Sequence, residues 1–419
     1  MNITIHRGTN TAAGCFTEIA TKKTRILIDL GANRPGAEHD AFTREDLENL
    51  TQGVNAIFYS HYHSDHLGLF VHVPEKTAQY MGPDAIKLMK IKSEYIGKSD
   101  AAKKLDTFKP YDSGTTIKVG DIKITPQLVS HSAFDSHFLI IEAGGKRILY
   151  AGDLRGTGYP SSLLYNADPR KNKLKRLMQY LPIDVLIAEG AMATHDSEKA
   201  ITENELQQKA RQIMSKNKHI FVQCSSTDVD RLASFYNANK AIENRPIVCD
   251  SYQKHILKHF ADSAGHYSQM YKIGKSYIYN PEDMSHKLHN WMRDKGCCMF
   301  VRPSMTPLIE YIIEKLGREN TVLIYSMWPG HYNGKVAGVY NPRYARFRKL
   351  FGRVIDLNTC GSDDDETLRQ LRAAFDPRDA IVCINKVPST SLISLDMQDN
   401  LRVGVIPSHS APSYIKIID

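Results

Sequence analysis

A mixed α/β protein of more than one domain is what this sequence predicts, on three observations. Short β-branched runs, each closed by a turn or polar residue, recur along the whole chain. From Ile183 to about Tyr325 these runs alternate with helical stretches, the texture of a parallel α/β unit. Up to Gly152 the texture differs, being strand-rich with one helical interlude near residues 83–105, so a first boundary is expected near residue 185. A chain of 419 residues has room for two or three domains and a large core.

Taken in order, Arg25–Asp29, Ala56–Tyr59 and Arg147–Tyr150 read as buried strands, because each is an apolar run flanked by polar residues. The same holds for Ile183–Ala188, Ile220–Gln223, Ile247–Cys249, Val322–Tyr325 and Ile381–Ile384. Thr202 and Glu205 have capping-box spacing, so a helix should follow them to about Lys216. Further helices are expected over Val229–Ala241, Asp283–Lys295, Tyr340–Leu350 and Thr367–Phe375. No internal repeat and no low-complexity segment interrupts this pattern.

Composition narrows the class. Hydrophobic residues make up 42% and charged residues 24%, the usual globular mix, which argues against a disordered or fibrous chain. No run approaches the roughly 18 apolar residues of a membrane span, and Met1–Arg7 lacks the apolar stretch of a secretory signal. Fifty-four Lys and Arg against 46 Asp and Glu leave a net charge of +8, compatible with a polyanionic partner and equally with a mildly basic enzyme. Seven scattered cysteines, an odd number with no C-x-x-C pair, fit a reducing cytoplasm better than a disulfide framework or a zinc ribbon.

The most informative stretch is Ser60-His61-Tyr62-His63-Ser64-Asp65-His66-Leu67-Gly68, directly after the strand Ala56–Tyr59. Four metal-ligand side chains within six positions cannot all point one way along a helix or strand, but on a loop they can converge. Neutral imidazole and carboxylate suit zinc and manganese. His61 and His63 can grip one cation while Asp65 and His66 turn to a second. Two later residues extend the set: His131 follows the strand-like Thr125–Val129, and Asp153 ends the run Arg147–Gly152. Gly152 would let the backbone approach closely, and a carboxylate at a strand end is well placed to bridge two cations.

This H-x-H-x-D-H pattern, with a later His and a strand-end Asp, resembles the signature of the metallo-β-lactamase fold. The resemblance implies an αββα sandwich with metals at one sheet edge. It implies one site from His61, His63 and His131, another from Asp65 and His66, and a bridge from Asp153. The opening Arg7-Gly8-Thr9-Asn10, Gly14-Cys15-Phe16-Thr17-Glu18 and Ile26-Leu27-Ile28-Asp29-Leu30-Gly31 resembles the start of ribonuclease J-like proteins. So do His131–Asp135 with Phe138–Glu142, and Ala151-Gly152-Asp153-Leu154-Arg155.

Ile187-Ala188-Glu189-Gly190 is similar to the acidic motif that opens a β-CASP domain, an α/β cap inserted in the lactamase fold of RNA- and DNA-cutting enzymes. The fold class expected is therefore α/β: a metallo-β-lactamase αββα sandwich with an inserted β-CASP α/β domain. Its parts would be 1–188, the cap 189–340, and a returning lactamase part 341–419, without the extra C-terminal domain of ribonuclease J. On this resemblance Asp65, Asp153 and Glu189 carry catalysis. Cys224-Ser225-Ser226-Thr227 with Arg231, between a strand and a helix, resembles the family's phosphate-binding loop, although Ser and Thr there also suit an ordinary N-cap.

Two basic stretches remain. Arg170–Arg176 holds five positive charges in seven residues, and Arg343–Lys349 mixes cations with rings. Tyr344, Phe347 and Phe351 have helical spacing and read as core, while the arginines on the other face can touch phosphates or simply stay solvated.

The resemblance breaks at two points. Where the family carries two histidines after the cap, this chain has Ser362, in Asn358-Thr359-Cys360-Gly361-Ser362-Asp363, and Asn385, after the strand-like Ala380–Cys383. Asn385 is a weak ligand candidate for the second cation, and Ser362 a candidate phosphate contact. Three readings stay open: a metal-dependent ribonuclease acting on RNA, with single-stranded DNA as a further substrate; a non-catalytic RNA-binding or scaffolding subunit; and a metal-dependent hydrolase of a small phosphodiester or other substrate. The cofactors expected are Zn²⁺ or Mn²⁺, one tightly and a second more weakly bound, with Mg²⁺ as a further candidate. RNA is the expected partner, no membrane is implied, and a homo-oligomer is compatible with all of this.

Overall fold

The β-branched runs become buried strands, and period-two alternation decides which face of each strand meets which layer. The computed structural model describes residues 1–7, 14–32, 42–129, 131–153, 178–189, 201–266, 268–283, 286–333, 340–359, 371, 373–384 and 413–416. The chain divides into two units: Met1–Gly156 with Pro160–Glu198 and Ser362–Asp419, and Lys199–Gly361 with Thr157–Tyr159.

Two sheets build the first unit. One runs in the order Ser413–Lys416, Asn2–Arg7, Phe16–Ala20, Arg25–Ile28, Ala56–Phe58, Ala78–Met81, Lys109–Pro110. The other runs Ala380–Ile384, Val185–Glu189, Lys146–Gly152, Ser136–Ala143, Ile122–Val129, Ile117–Val119. Ile3, Ile26, Ile28 and Phe58 from the first meet Ile124, Leu139, Ile148, Tyr150 and Ile187 from the second in one core. The alternate residues Phe138, Ile140, Leu149 and Leu186 face the other way and pack with Leu371 and Phe375. Parallel pairing joins Arg25–Ile28 to Ala56–Phe58, and Lys146–Gly152 to Val185–Glu189. The carboxyl ends Asp29, Ser60 and Asp153 are the residues from which the site below is built.

Ala380–Ile384 pairs in parallel with Val185–Glu189, so the chain rejoins the first unit after the second has been completed. The expected return at residue 341 falls inside the second unit instead. Arg353–Asp356 pairs with Thr321–Ser326, and Phe347 and Phe351 are buried in the second unit's core, which holds the chain there up to Gly361.

Among the described residues the second unit's sheet has the order Tyr277–Ile278, Ile247–Cys249, Cys297–Phe300, His219–Cys224, Thr321–Ser326, Arg353–Asp356, with every pairing parallel. Strands buried on both faces carry continuous apolar runs, as Ile220-Phe221-Val222 does within His219–Cys224. The helix Glu203–Lys216 starts at the capping box: Glu205 N donates to Thr202 Oγ1 (3.2 Å) and Thr202 N to Glu205 Oε2 (2.7 Å). The expected helix from Tyr340 is shorter, Pro342–Arg348, because Asn341 caps it and Pro342 opens it. That from Asp283 starts at Lys287, after His286 in a left-handed conformation (φ 50°). The sequence reading lacks the helices Ser251–Ser263 and Thr306–Leu316, and it lacks the strand Cys297–Phe300 because adjacent cysteines give no β-branched signal. Most of the expected helix Thr367–Phe375 and the basic stretch Arg170–Arg176 lie outside the described residues. No described helix is long and apolar enough to cross a membrane.

Arg231, expected to assist a phosphate, is only 3% exposed. Its Nε donates to Glu203 Oε1 (3.0 Å), its Nη1 to Ser326 Oγ (2.6 Å) and Asn358 Oδ1, and its Nη2 to Thr359 Oγ1. Glu203 also accepts from Ser234 Oγ (2.7 Å). The guanidinium thus ties helix Glu203–Lys216, the end of strand Thr321–Ser326 and the Asn358-Thr359 segment together.

Two outcomes test this packing. Arg231→Ala leaves Glu203 buried without its cation and should cost about 3–5 kcal/mol of stability, read as a lower denaturation midpoint. His219 is buried, and its burial together with Lys218 and Arg245 pushes its pKa down from 6.5 to about 4. Below pH 6.5 the unfolded chain takes up a proton that the folded chain refuses, so stability is lost as pH falls from 6.5 towards 4. Unfolding curves of the His219→Gln variant should show a shallower loss across that window than the unaltered chain.

Candidate metal centre

The loop after Ala56–Phe58 places its ligands by a set of hydrogen bonds that converge on Asp29. Asp29 itself is wholly buried and left-handed (φ 59°), which turns its carboxylate back across the strand ends. Its Oδ1 accepts from Ser60 N (2.7 Å); its Oδ2 accepts from Ser60 Oγ (2.8 Å), Tyr150 OH (2.7 Å) and His66 Nδ1 (2.7 Å). Because the Ser60 hydroxyl proton goes to Asp29, Ser60 Oγ accepts from His61 Nδ1 (3.0 Å). A neutral imidazole that donates through Nδ1 presents a bare lone pair at Nε2. Asp29 therefore sets the tautomer of both His61 and His66.

Those two Nε2 atoms point at Asp153. Its Oδ2 lies 4.0 Å from His61 Nε2 and 3.9 Å from His131 Nε2, while Oδ1 lies 3.1 Å from His66 Nε2. His131 Nε2 is 3.1 Å from His63 Nδ1. One ligand atom each from His61, His63, His131 and Asp153 all fall within 4.8 Å of one another. Ligands about 2.0–2.1 Å from a tetrahedral zinc sit about 3.3 Å apart, so this spacing suits one cation. Among the described residues the buried atoms His61 Nε2, His66 Nε2 and Asp153 Oδ1 make no aligned hydrogen bond, the last two only facing each other at 3.1 Å, which in a polar cluster this tight suits a shared cation. The donor set fits a divalent cation of the zinc or manganese type.

The charges agree. Burial, reinforced by the neighbouring rings of His66, His131 and His63, holds the His61 pKa well below its usual value, so the ring is neutral and able to ligate. Burial also lowers that of His63, against Asp65 and Asp153. Burial would favour a neutral Asp153, but His66 and His131 outweigh it and keep the carboxylate ionised. At His66 burial opposes charge, yet Cys15, Asp153 and Asp29 raise its pKa well above the usual value. The field at that point favours positive charge. Cys15, fully buried behind the site, is pushed up to about 11 by burial and stays a thiol.

Other residues hold the loops in place. Tyr62 OH accepts from Phe134 N (2.7 Å), joining the histidine loop to the His131 loop. Asp135 Oδ2 accepts from Asp84 N (2.9 Å) and Ala85 N (3.2 Å) at the start of helix Pro83–Tyr95. A Cβ on Gly152 would come within 3.3 Å of Ser60, and Gly152 sits at φ 54°, so only glycine lets this strand end close on the loop without strain. Asp29, Ser60, Tyr62 and Asp135 were not singled out as site residues from sequence. Their one signal is position, since each lies within or beside a motif that was.

Asp65 is buried in the first turn of Ser64–Leu67 but lies outside the four-residue group, as does His66. Glu189 ends its strand; its side chain, Asn385 and Ser362 lie outside the described residues. Ser225 is exposed, Ser226 half-buried and Thr227 buried, in the loop before helix Val229–Lys240. That helix is capped by Asp228, whose carboxylate accepts from Arg231 N (3.2 Å) and brings negative charge to the N-terminus where a phosphate was expected. Lys92, half-buried on helix Pro83–Tyr95, has no ion-pair partner among the described residues, and its charge acts on His63, the half-exposed member of the group.

Residues 24–208 match the beta-lactamase superfamily domain. No curated protein matches the chain. A crystal structure titled as a protein of unknown function from Enterococcus faecalis V583 is similar in fold, with a TM-score of 0.72 at 17% identity over 99% of each chain. The superfamily domain and the His/Asp group together fit a metal-dependent hydrolase.

Replacing His61 and His63 together by Ala should remove most of the metal that co-purifies, measured by mass spectrometry. Asp29→Asn keeps the side chain's shape but lets its amide donate, which frees His66 and Ser60 to turn. Chelator competition should show metal affinity falling about 10- to 100-fold.

Proposed function

We propose that this chain is a metal-dependent phosphodiesterase that hydrolyses RNA, with single-stranded DNA as a second substrate. The observation that carries the reading is the division of the Asp153 carboxylate, one oxygen facing His61 and His131 and the other facing His66. A carboxylate so divided suits two neighbouring cations. His61, His63, His131 and Asp153 would hold the tighter one, Zn²⁺ or Mn²⁺; His66 and Asp65, with Asn385 as a weak ligand, would hold the second. When bound, such cations supply Lewis acidity and lower the pKa of water.

The chain's own groups do the rest. Asp29 accepts from His66 Nδ1 directly and orients His61 Nδ1 through Ser60 Oγ, so Nε2 is the atom that each ring turns towards the cations. Asp65 accepts the proton of the attacking water. Asp153 stays ionised because His66 faces it. Lys92, without an ion-pair partner among the described residues, brings positive charge to bear on His63, the half-exposed member of the group, as an anionic phosphodiester requires. The choice of RNA is supported by the likeness of Glu189 and of the second unit's parallel α/β texture to β-CASP nucleases, and by the net charge of +8. The replacement of two family histidines by Ser362 and Asn385 supports the second reading, a non-catalytic RNA-binding subunit.

Metal-loaded protein incubated with end-labelled single-stranded RNA should yield cleavage products on a gel, and Asp65→Asn should slow cleavage about 10²- to 10⁴-fold. Lys92→Gln should raise KM for RNA several-fold with metal content unchanged. Bound metal and bound RNA without any product would establish the non-catalytic reading; turnover of a small phosphodiester without RNA binding would establish a small-substrate hydrolase.

A further inference from the structure

A cluster of rings lies at the carboxyl end of Thr321–Ser326 in the second unit, the end at which open α/β sheets take their ligands. Tyr325 is its buried floor, with Tyr332 edge-on at 5.0 Å. Arg348 lies 4.6 Å and 3.7 Å from these two ring centroids, and Asp356 pairs with it. His331 stacks on Tyr344 at 5.4 Å, and Trp328 meets His331 at 5.6 Å. Packing accounts for the floor but not for Trp328, which keeps 46% of its surface in water.

Beside the rings, helix Pro342–Arg348 has the sequence PRYARFR, without an acidic residue. Arg343 and Arg346 are exposed and form no ion pair among the described residues. Gln223, next to Tyr325 in the parallel register, is 1% exposed, and its amide finds no partner among the described residues. An exposed indole beside guanidinium groups that have no ion pair among the described residues matches bases linked by phosphates. A duplex hides its base faces, and an apolar partner would strand the two arginines.

We propose that this face is a docking platform for single-stranded nucleic acid: a base stacks on Trp328 and the adjoining phosphates meet Arg343 and Arg346. The choice of occupant rests on the nuclease reading above; the platform itself lies within the second unit and needs no metal.

The chain has two tryptophans, so Trp291→Phe leaves Trp328 as the only one, and excitation at the red edge, where tyrosine does not absorb, reads it alone. Titrating that protein with phosphorothioate-linked heptauridylate, which resists cleavage, should quench emission saturably. Affinity should fall as salt rises, with a log–log slope of about −0.7 per phosphate contacted. Arg343→Ala with Arg346→Ala should weaken binding and flatten that slope by about 1.4. Trp328→Ala, followed by anisotropy of labelled strand, should weaken binding about 5- to 150-fold, with Trp328→Phe between the two and circular dichroism unchanged in all variants. Binding unaltered by Trp328→Ala overturns the platform and leaves the nuclease reading standing. Uridine monophosphate quenching as strongly as the strand at equal concentration also overturns it. Strand-dependent quenching in a protein that cuts no RNA supports the platform and overturns the nuclease reading.

Discussion

The candidate metal centre depends on one buried carboxylate. Asp29 accepts four hydrogen bonds from three side chains and one backbone amide, drawn from two strand ends and the histidine loop. A buried ion needs such satisfaction, because unpaired it would cost several kcal/mol. The same bonds fix which nitrogen of His61 and His66 carries a proton, so the interaction that stabilises the fold at this point also prepares the ligands. Tyr150 reaches Asp29 from the second sheet of the first unit, so the site is held across the sandwich and not by the loop alone.

The second unit follows the same rule with a different result. Arg231 sits in a loop-to-helix sequence that looks suited to phosphate, yet its guanidinium is enclosed by Glu203, Ser326, Asn358 and Thr359. Asp228 takes the N-cap position of the same helix. A guanidinium that binds phosphate must be reachable, and one that closes a buried network cannot be. Arg343 and Arg346 are among the unit's exposed cations, on a helix whose Phe347 is buried in the core.

Sequence by itself determined the mixed α/β class, the central buried strands of the sheets and the capping box at Thr202 and Glu205. It also singled out His61, His63, His131 and Asp153, whose side-chain atoms the structure brings within 4.8 Å of one another. These follow from local rules: alternation, cap chemistry, and ligand types dense enough to exclude chance. Tertiary structure decided the rest. That Asp29 orients two histidines depends on strands and loops 31 to 121 residues away coming together at its carboxylate. That residues 341–361 stay with the second unit depends on Arg353–Asp356 finding Thr321–Ser326 as a neighbour. That Arg231 is structural depends on a partner 128 residues distant. A side chain's chemistry can be read from its identity; whether it faces water, a ligand or a buried partner is fixed only when distant segments meet.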